Sequence, residues 1–197
     1  MRLILASASP RRQELLRQLR LDFEVMPAHV DETRFPDEPP AAYVERVARA
    51  KAEAVAGPGL IVVGADTTVV HEGRIMGKPG HPEEARAMLR HLQGDVHEVF
   101  TGLAVAFWDG TARTRSAVDM AEVHFLPMTD DEIVRYVESG EPLDKAGSYA
   151  LQGRGGAFVS KVSGSPFTVI GLPIHLLARL VAASGADIDV FREEPAG

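Results

Sequence analysis

The sequence predicts an α/β fold built on a mixed β-sheet with flanking helices. Two observations carry this expectation. Short apolar runs of strand length alternate with segments whose apolar residues recur at helical spacing. Single crossover helices also alternate with hairpins, so parallel and antiparallel strands must share the sheet. The chain has 197 residues, 45% of them hydrophobic, which is enough for a sizeable core in one domain or two small lobes. No internal repeat, low-complexity tract or long linker interrupts the sequence, so residues 1–197 read as one domain.

Arg2 to Ala6 reads as a buried strand, and Pro10 to Leu19 as a helix with Leu15, Leu16 and Leu19 on one face. Ser9 suits the N-cap, with Pro10 at the first helical position. Phe23 to Met26 is a second strand, and a proline-rich loop with Asp31 and Glu32 leads to a helix from Ala41 to Ala56. Leu60 to Ala65 is a continuous apolar run with Asp66 at its carboxyl end. His71-Glu72-Gly73 reads as a hairpin turn between Thr67–Val70 and Arg74–Met76. Pro82 to Leu92 is an amphipathic helix closed by Gly94, and Val96–Phe107 pairs with Thr114–Phe125 around Asp109-Gly110. Thr129-Asp130-Asp131-Glu132 matches a capping box for a helix ending near Gly140. Gly153-Arg154-Gly155-Gly156 precedes a strand from Ala157 to Val162, Pro173 to Ala183 is the last helix, and Arg192 to Gly197 reads as a frayed tail.

Composition narrows the chemistry. The chain has no cysteine, which excludes disulfides, thiolate metal sites and a cysteine nucleophile while leaving carboxylate-bound magnesium or manganese open. No apolar run approaches a membrane span, and Met1-Arg2-Leu3-Ile4 leads into a strand rather than a secretory signal, so no membrane partner and a cytoplasmic location are expected. A formal charge of −7 argues against nucleic acid as a partner. Yet five arginines stand against one glutamate through Arg20, a local patch suited to a small anion or to an ordinary solvated helix face.

Three constellations could carry chemistry. Ser7-Ala8-Ser9-Pro10-Arg11-Arg12 joins a strand to a helix start, where unpaired N–H groups and the helix dipole favour an anion. Two arginines there oppose the dipole unless a polyanion binds or they turn to solvent. Lys51 lies four residues after Val47 and three after Ala48, beside the apolar stripe, from which it either snorkels to the surface or reaches into a cleft. Asp66 ends an apolar strand, the place where α/β sites gather, although a turn-capping aspartate fits there as well. Gly77-Lys78-Pro79 presents a rigid lysine. Glu141-Pro142, Asp144-Lys145 and Gln152-Gly153 add polar groups that plain surface loops would also explain.

The order of short motifs resembles the Maf family. It comprises Ser7-Ala8-Ser9-Pro10-Arg11-Arg12 with Leu15-Leu16, Asp31-Glu32, Lys51-Ala52, Gly64-Ala65-Asp66-Thr67, Gly77-Lys78-Pro79, and His97 with Thr101-Gly102. It continues with Asp144-Lys145-Ala146-Gly147-Ser148-Tyr149, Gln152-Gly153 and Gly171-Leu172-Pro173. The resemblance runs from Leu3 to about Leu180. Where many relatives carry an aromatic residue and an asparagine, this chain has Ser165-Pro166-Phe167-Thr168, and that loop receives no role.

The resemblance implies a fold similar to the inosine-triphosphate pyrophosphatases, with two lobes around a cleft. It implies hydrolysis of a nucleoside triphosphate to a monophosphate and pyrophosphate. A triphosphate carries about four negative charges, so positioning and neutralisation should dominate. The implied catalytic residues are Asp66, Lys78 and Lys51, with Asp66 as the proton acceptor. Ser7, Arg11, Arg12, Thr67 and Gln152 are implied to bind substrate, and Asp66 and Glu32 to hold Mg2+ or Mn2+. Arg12, Thr67 and Gln152 resemble the set of members favouring dTTP and UTP rather than 7-methyl-GTP, and an amide at Gln152 offers a donor and an acceptor to a pyrimidine edge. Modified pyrimidine triphosphates and a homodimer are further expectations. The alternative of another class is a nucleotide-sensing binding module linked to septum formation.

Overall fold

The computed structural model describes residues 1–192. The elements run β1 (Arg2–Leu5), α1 (Pro10–Gln18), β2 (Glu24–Val25), α2 (Pro40–Ala54), β3 (Leu60–His71), β4 (Arg74–Met76), α3 (Pro82–Leu92), β5 (Val96–Trp108), β6 (Ala112–Phe125), α4 (Asp130–Glu138), β7 (Val159–Ser163), α5 (Pro166–Ile170) and α6 (Ile174–Ala183). Single 3-10 turns occupy Glu141–Asp144, Ala146–Ser148, Arg154–Phe158 and Ile188–Phe191. The strand order is β2-β1-β3-β5-β6-β7, with β4 on β3. β1 is parallel to β2 and β3, whereas β3 with β4 and β6 with β7 are antiparallel. This is the expected α/β class with a mixed sheet.

The chain divides into two compact units: residues 1–66, 101–119 and 171–192 in the first, and 67–100 and 120–170 in the second. The first has a core of Ile4, Ala6, Ala48, Ala52, Val62, Ala104 and Ala106. The small residues in it keep α2 close to the strands. The core of the second gathers Val69, Leu89, Leu92, Val123, Phe125, Ile133, Tyr136 and Tyr149. Among the described residues no helix is long and apolar enough to cross a membrane.

Local signals explain most boundaries. Glu72 and Gly73 both have positive φ, as a two-residue hairpin turn requires, and His71 pairs with Arg74 across it. Thr129 and Glu132 form the expected capping box. Other boundaries differ from expectation. The run from Leu60 does not stop at Ala65: β3 continues through Asp66 and Thr67 to His71, because residues 61–66 and 68–71 are all buried and Thr67 to Val70 are good strand formers. Residues 154–158 wind into a 3-10 turn before β7, and Pro166 to Ile170 forms a short helix where a loop was expected. Arg192 is not frayed, since it bridges to Leu21 and its guanidinium donates to Leu19 O at 3.0 Å. The rest of the expected tail lies outside the described residues.

Candidate active site

In the first unit, β1 ends at Leu5 and the chain turns at Ser7 into α1. Ser9 sits at the N-cap, but its side chain makes no cap; its N–H instead donates to Ser7 Oγ at 3.3 Å. Arg12 turns inward rather than to solvent. Its Nε donates to Gly171 O at 2.8 Å, and one terminal nitrogen donates to Ala65 O at 2.8 Å and to Ser7 Oγ at 3.0 Å. An arginine at a helix start opposes the dipole, and these acceptors compensate for it. Burial lowers the Arg12 pKa, with the charge of Asp66 opposing that shift and Arg11 reinforcing it. Arg11, next along the helix, is half-buried.

Two glycines bring Lys51 to Asp66. A Cβ on Gly64 would collide with Ala48 O and approach Ala52 N to 2.7 Å, and one on Gly102 would collide with Val44 O. Glycine inside a strand marks such close backbone approach. The buried face of α2, Val44, Val47, Ala48, Lys51 and Ala52, therefore lies directly on these strands. Lys51 reaches inward: Nζ stands 2.8 Å from Asp66 Oδ1 and 2.8 Å from Glu32 Oε1.

Asp66 is 7% exposed. Its burial raises the carboxyl pKa, Lys51 and then Arg12 pull it back, and the negative charge of Glu32 adds to the rise. A buried carboxylate paired to one lysine is thus more basic than an ordinary aspartate. Glu32 is exposed, on a loop tied to α2. Tyr43 donates to Glu32 O at 3.1 Å, while Arg46 donates to both oxygens of Glu38 at 2.7 and 2.8 Å and to Thr33 O at 3.0 Å. The Arg46 guanidinium also stacks 4.1 Å over the ring of Phe35.

The second unit holds the remaining expected residues. Thr67 follows Asp66 in β3 and is half-buried, and Lys78 and Gln152 are exposed. Gly77, beside Lys78, accepts from the Gly147 N–H at 3.1 Å, and a Cβ on Gly147 would stand 2.8 Å from Val69. The structure therefore joins Lys51 to Asp66 and Glu32, and Arg12 to Ser7 and to the carbonyl of Ala65, the residue before Asp66. Among the described residues no contact joins Lys78 to Gln152 within the second unit.

Comparison with known proteins bears on this arrangement. The model of a family described as Maf-like protein matches residues 2–184. The chain belongs to the Maf family. A dTTP/UTP pyrophosphatase of Anaeromyxobacter dehalogenans (strain 2CP-C) is 52% identical over 185 residues, which cover 93% of this chain and 94% of that protein. A dTTP/UTP pyrophosphatase of Moorella thermoacetica is 47% identical over 194 residues, covering 95% and 97%. Among solved structures, the Ham1 protein of Staphylococcus aureus aligns with a TM-score of 0.47 at 16% identity over 93% of this chain and 99% of that one.

The Maf-family motifs of this chain include residues whose part is visible only in the structure. Gly64 and Gly102 stand in two of the motifs, and glycine in a strand was their only signal. His97 is 1% exposed, and its Nε2 lies 2.8 Å from the Tyr149 hydroxyl. Phe125 completes an edge-to-face trio with these rings, at centroid distances of 4.7 to 5.3 Å. Burial depresses the His97 pKa to about 4, with His71 adding to the effect. The ring is therefore neutral near pH 7. Glu141, read from sequence as one polar group of a surface loop, instead accepts hydrogen bonds from Tyr136, Arg154 and Gly155.

Proposed function

We propose that this chain is a nucleotide pyrophosphatase that hydrolyses dTTP and UTP, with modified pyrimidine triphosphates, to the monophosphate and pyrophosphate. The observation that carries the reading is the buried Asp66 held 2.8 Å from Lys51, with Glu32 on the same ammonium. The names of the curated relatives support the substrate class. A carboxylate with raised basicity, kept in place by a fixed cation, is suited to take a proton from water. Arg11, Arg12, Lys51 and Lys78 would neutralise phosphate oxygens, with Ser7 donating to one of them. Arg12, pinned by three acceptors, would act as a fixed charge. Thr67 and Gln152 would contact the nucleoside, the amide of Gln152 meeting the base edge.

Asp66 and Glu32 supply hard oxygen donors converging on one point, a set that fits Mg2+ or Mn2+ and not a softer metal. Among the described residues no group of three or more His, Asp and Glu side chains is placed to hold a metal ion, so phosphate oxygens and water would complete the shell. When bound, such a cation would lower the charge on the phosphates and the pKa of a coordinated water. Lys51, which holds both carboxylates at 2.8 Å, would keep Asp66 in place. A cytoplasmic location and a homodimer belong to the same proposal.

The test is a screen of dTTP, UTP, CTP, GTP, 7-methyl-GTP and modified pyrimidine triphosphates with Mg2+ or Mn2+, scored for monophosphate and pyrophosphate together. The expected result is the highest kcat/KM for dTTP and UTP. A preference for 7-methyl-GTP would overturn the substrate assignment. Nucleotide binding without turnover would favour the sensing module.

A further inference from the structure

We propose that Glu141, braced by Tyr136, is a positioning residue that holds the loop of Gln152 in its base-reading shape and thereby sets base preference. This rests on the reading of Gln152 given above. The loop is wound around one carboxylate. Glu141 Oε1 accepts from the Tyr136 hydroxyl at 2.7 Å and from the Gly155 N–H at 3.0 Å, and Oε2 accepts from the Arg154 N–H at 3.0 Å. The Tyr136 oxygen in turn accepts from the Ala150 N–H at 3.1 Å. Both ends of residues 150–155 are therefore fixed to one acid–phenol pair, and Gln152 stands exposed between the fixed points.

The glycines of this segment serve that winding. Gly153 has φ of 131°, and a Cβ there would come 2.5 Å from Glu141 Oε2; a Cβ on Gly155 would collide with the Tyr136 oxygen. Such a segment is tightly packed rather than a flexible linker. Burial would by itself raise the Glu141 pKa, but the Arg154 and Gly155 N–H donors and the Tyr136 hydroxyl outweigh it and hold the carboxyl below its ordinary range. Lys145 secures the turn that presents Glu141, its Nζ donating to Glu141 O at 2.6 Å. Three donors on one charged acceptor hold a loop more firmly than neutral contacts would, and a side chain that reads a base edge needs a fixed origin. Among the described residues the side chain of Glu141 meets Tyr136, Arg154 and Gly155 and none of the residues proposed to hold phosphate, so its effect should appear in the choice of base rather than in the chemical step.

The experiment measures kcat and KM for dTTP, UTP, CTP and GTP with the wild-type chain, Glu141→Gln, Tyr136→Phe, Gln152→Ala and the double variant Glu141→Gln/Gln152→Ala. Glu141→Gln keeps the shape but turns an amide N–H toward other donors. Its expected effect is a fall of about tenfold in the dTTP-to-GTP ratio of kcat/KM, carried by KM, with kcat for dTTP little changed. Tyr136→Phe should act in the same direction more weakly. In the Gln152→Ala background, Glu141→Gln should add little, because one pathway is already lost. A merely structural role would lower every substrate alike and leave the ratio unmoved. An unchanged ratio in Glu141→Gln or, if that variant does not fold, in Tyr136→Phe overturns the proposal when Gln152→Ala does lower it. An unchanged ratio in Gln152→Ala removes the base-reading role and the proposal with it.

Discussion

Arg12, Lys51 and Asp66 of the first unit are each less than a tenth exposed and answer one another or nearby carbonyls, whereas Lys78 and Gln152 of the second stand in solvent on loops shaped by backbone donors and glycines. Where the second unit buries a titratable ring, at His97, burial holds it neutral. Burying charge is tolerated only with a close partner, so the first unit keeps its buried charged groups paired. The difference teaches where each task belongs. A carboxylate whose basicity is raised by burial suits proton transfer, and an exposed amide on a fixed loop suits recognition.

The comparison is broken most directly at Asp66. Asp66→Asn keeps the shape and removes the basic site, so kcat should fall by about 10² to 10⁴. Because the folded pKa of Asp66 is raised, its contribution to stability is present at low pH and lost as pH rises through that pKa. Above it the ionised carboxylate gives the fold no net support, and the asparagine variant should melt within a few degrees of wild type. Activity near wild type would return Asp66 to a structural role.

Lys51 sharpens the same point. Lys51→Met removes the strongest attraction opposing the raised pKa of Asp66. The acid limb of kcat/KM should move to higher pH, with the maximum lowered by about 10² to 10³, the loss typical for one electrostatic donor. An acid limb that stays in place would show that Asp66 does not set it.

The second unit offers the contrasting pH response. The folded pKa of His97 is about 4 against an ordinary 6.5, so its contribution to stability is present above 6.5 and lost as pH falls toward 4. The full shift corresponds to about 3 kcal/mol. Denaturant titrations across that interval should show a loss of this order, flattened in His97→Gln. An equal slope in both proteins would assign the acid sensitivity elsewhere.

The smallest expected effect is at the exposed amide. Gln152→Glu removes the amide donors and places an anion near the base, so kcat/KM for dTTP should fall roughly tenfold to a hundredfold, the value of about 1 to 3 kcal/mol of contact. An unchanged ranking of dTTP, UTP, CTP and GTP would show that Gln152 does not read the base.

Elements with strong local signals were legible in the sequence. Pro82 to Leu92 is helical over the expected bounds, and the capping box at Thr129 forms as read. Lys51 was legible as an oddity, with both of its alternatives open, because helical periodicity places a side chain on a face without saying what it meets there. Asp66 was misplaced to a strand end because a carboxylate inside a buried strand runs against local pattern; Lys51, fifteen residues earlier, and the charge of Arg12 make it tolerable. The α2 packing against Gly64 and Gly102 and the winding of residues 150–155 about Glu141 depend on tertiary contacts. Their only trace in the sequence was glycine.

The most direct measurement of the central claim is the product ratio from dTTP incubated with the purified chain and Mg2+ or Mn2+, followed by chromatography of nucleotides and separate assays of pyrophosphate and orthophosphate. The account predicts dTMP and pyrophosphate released in equal amounts from the first turnovers, with no dTDP. Primary release of dTDP and orthophosphate would contradict it.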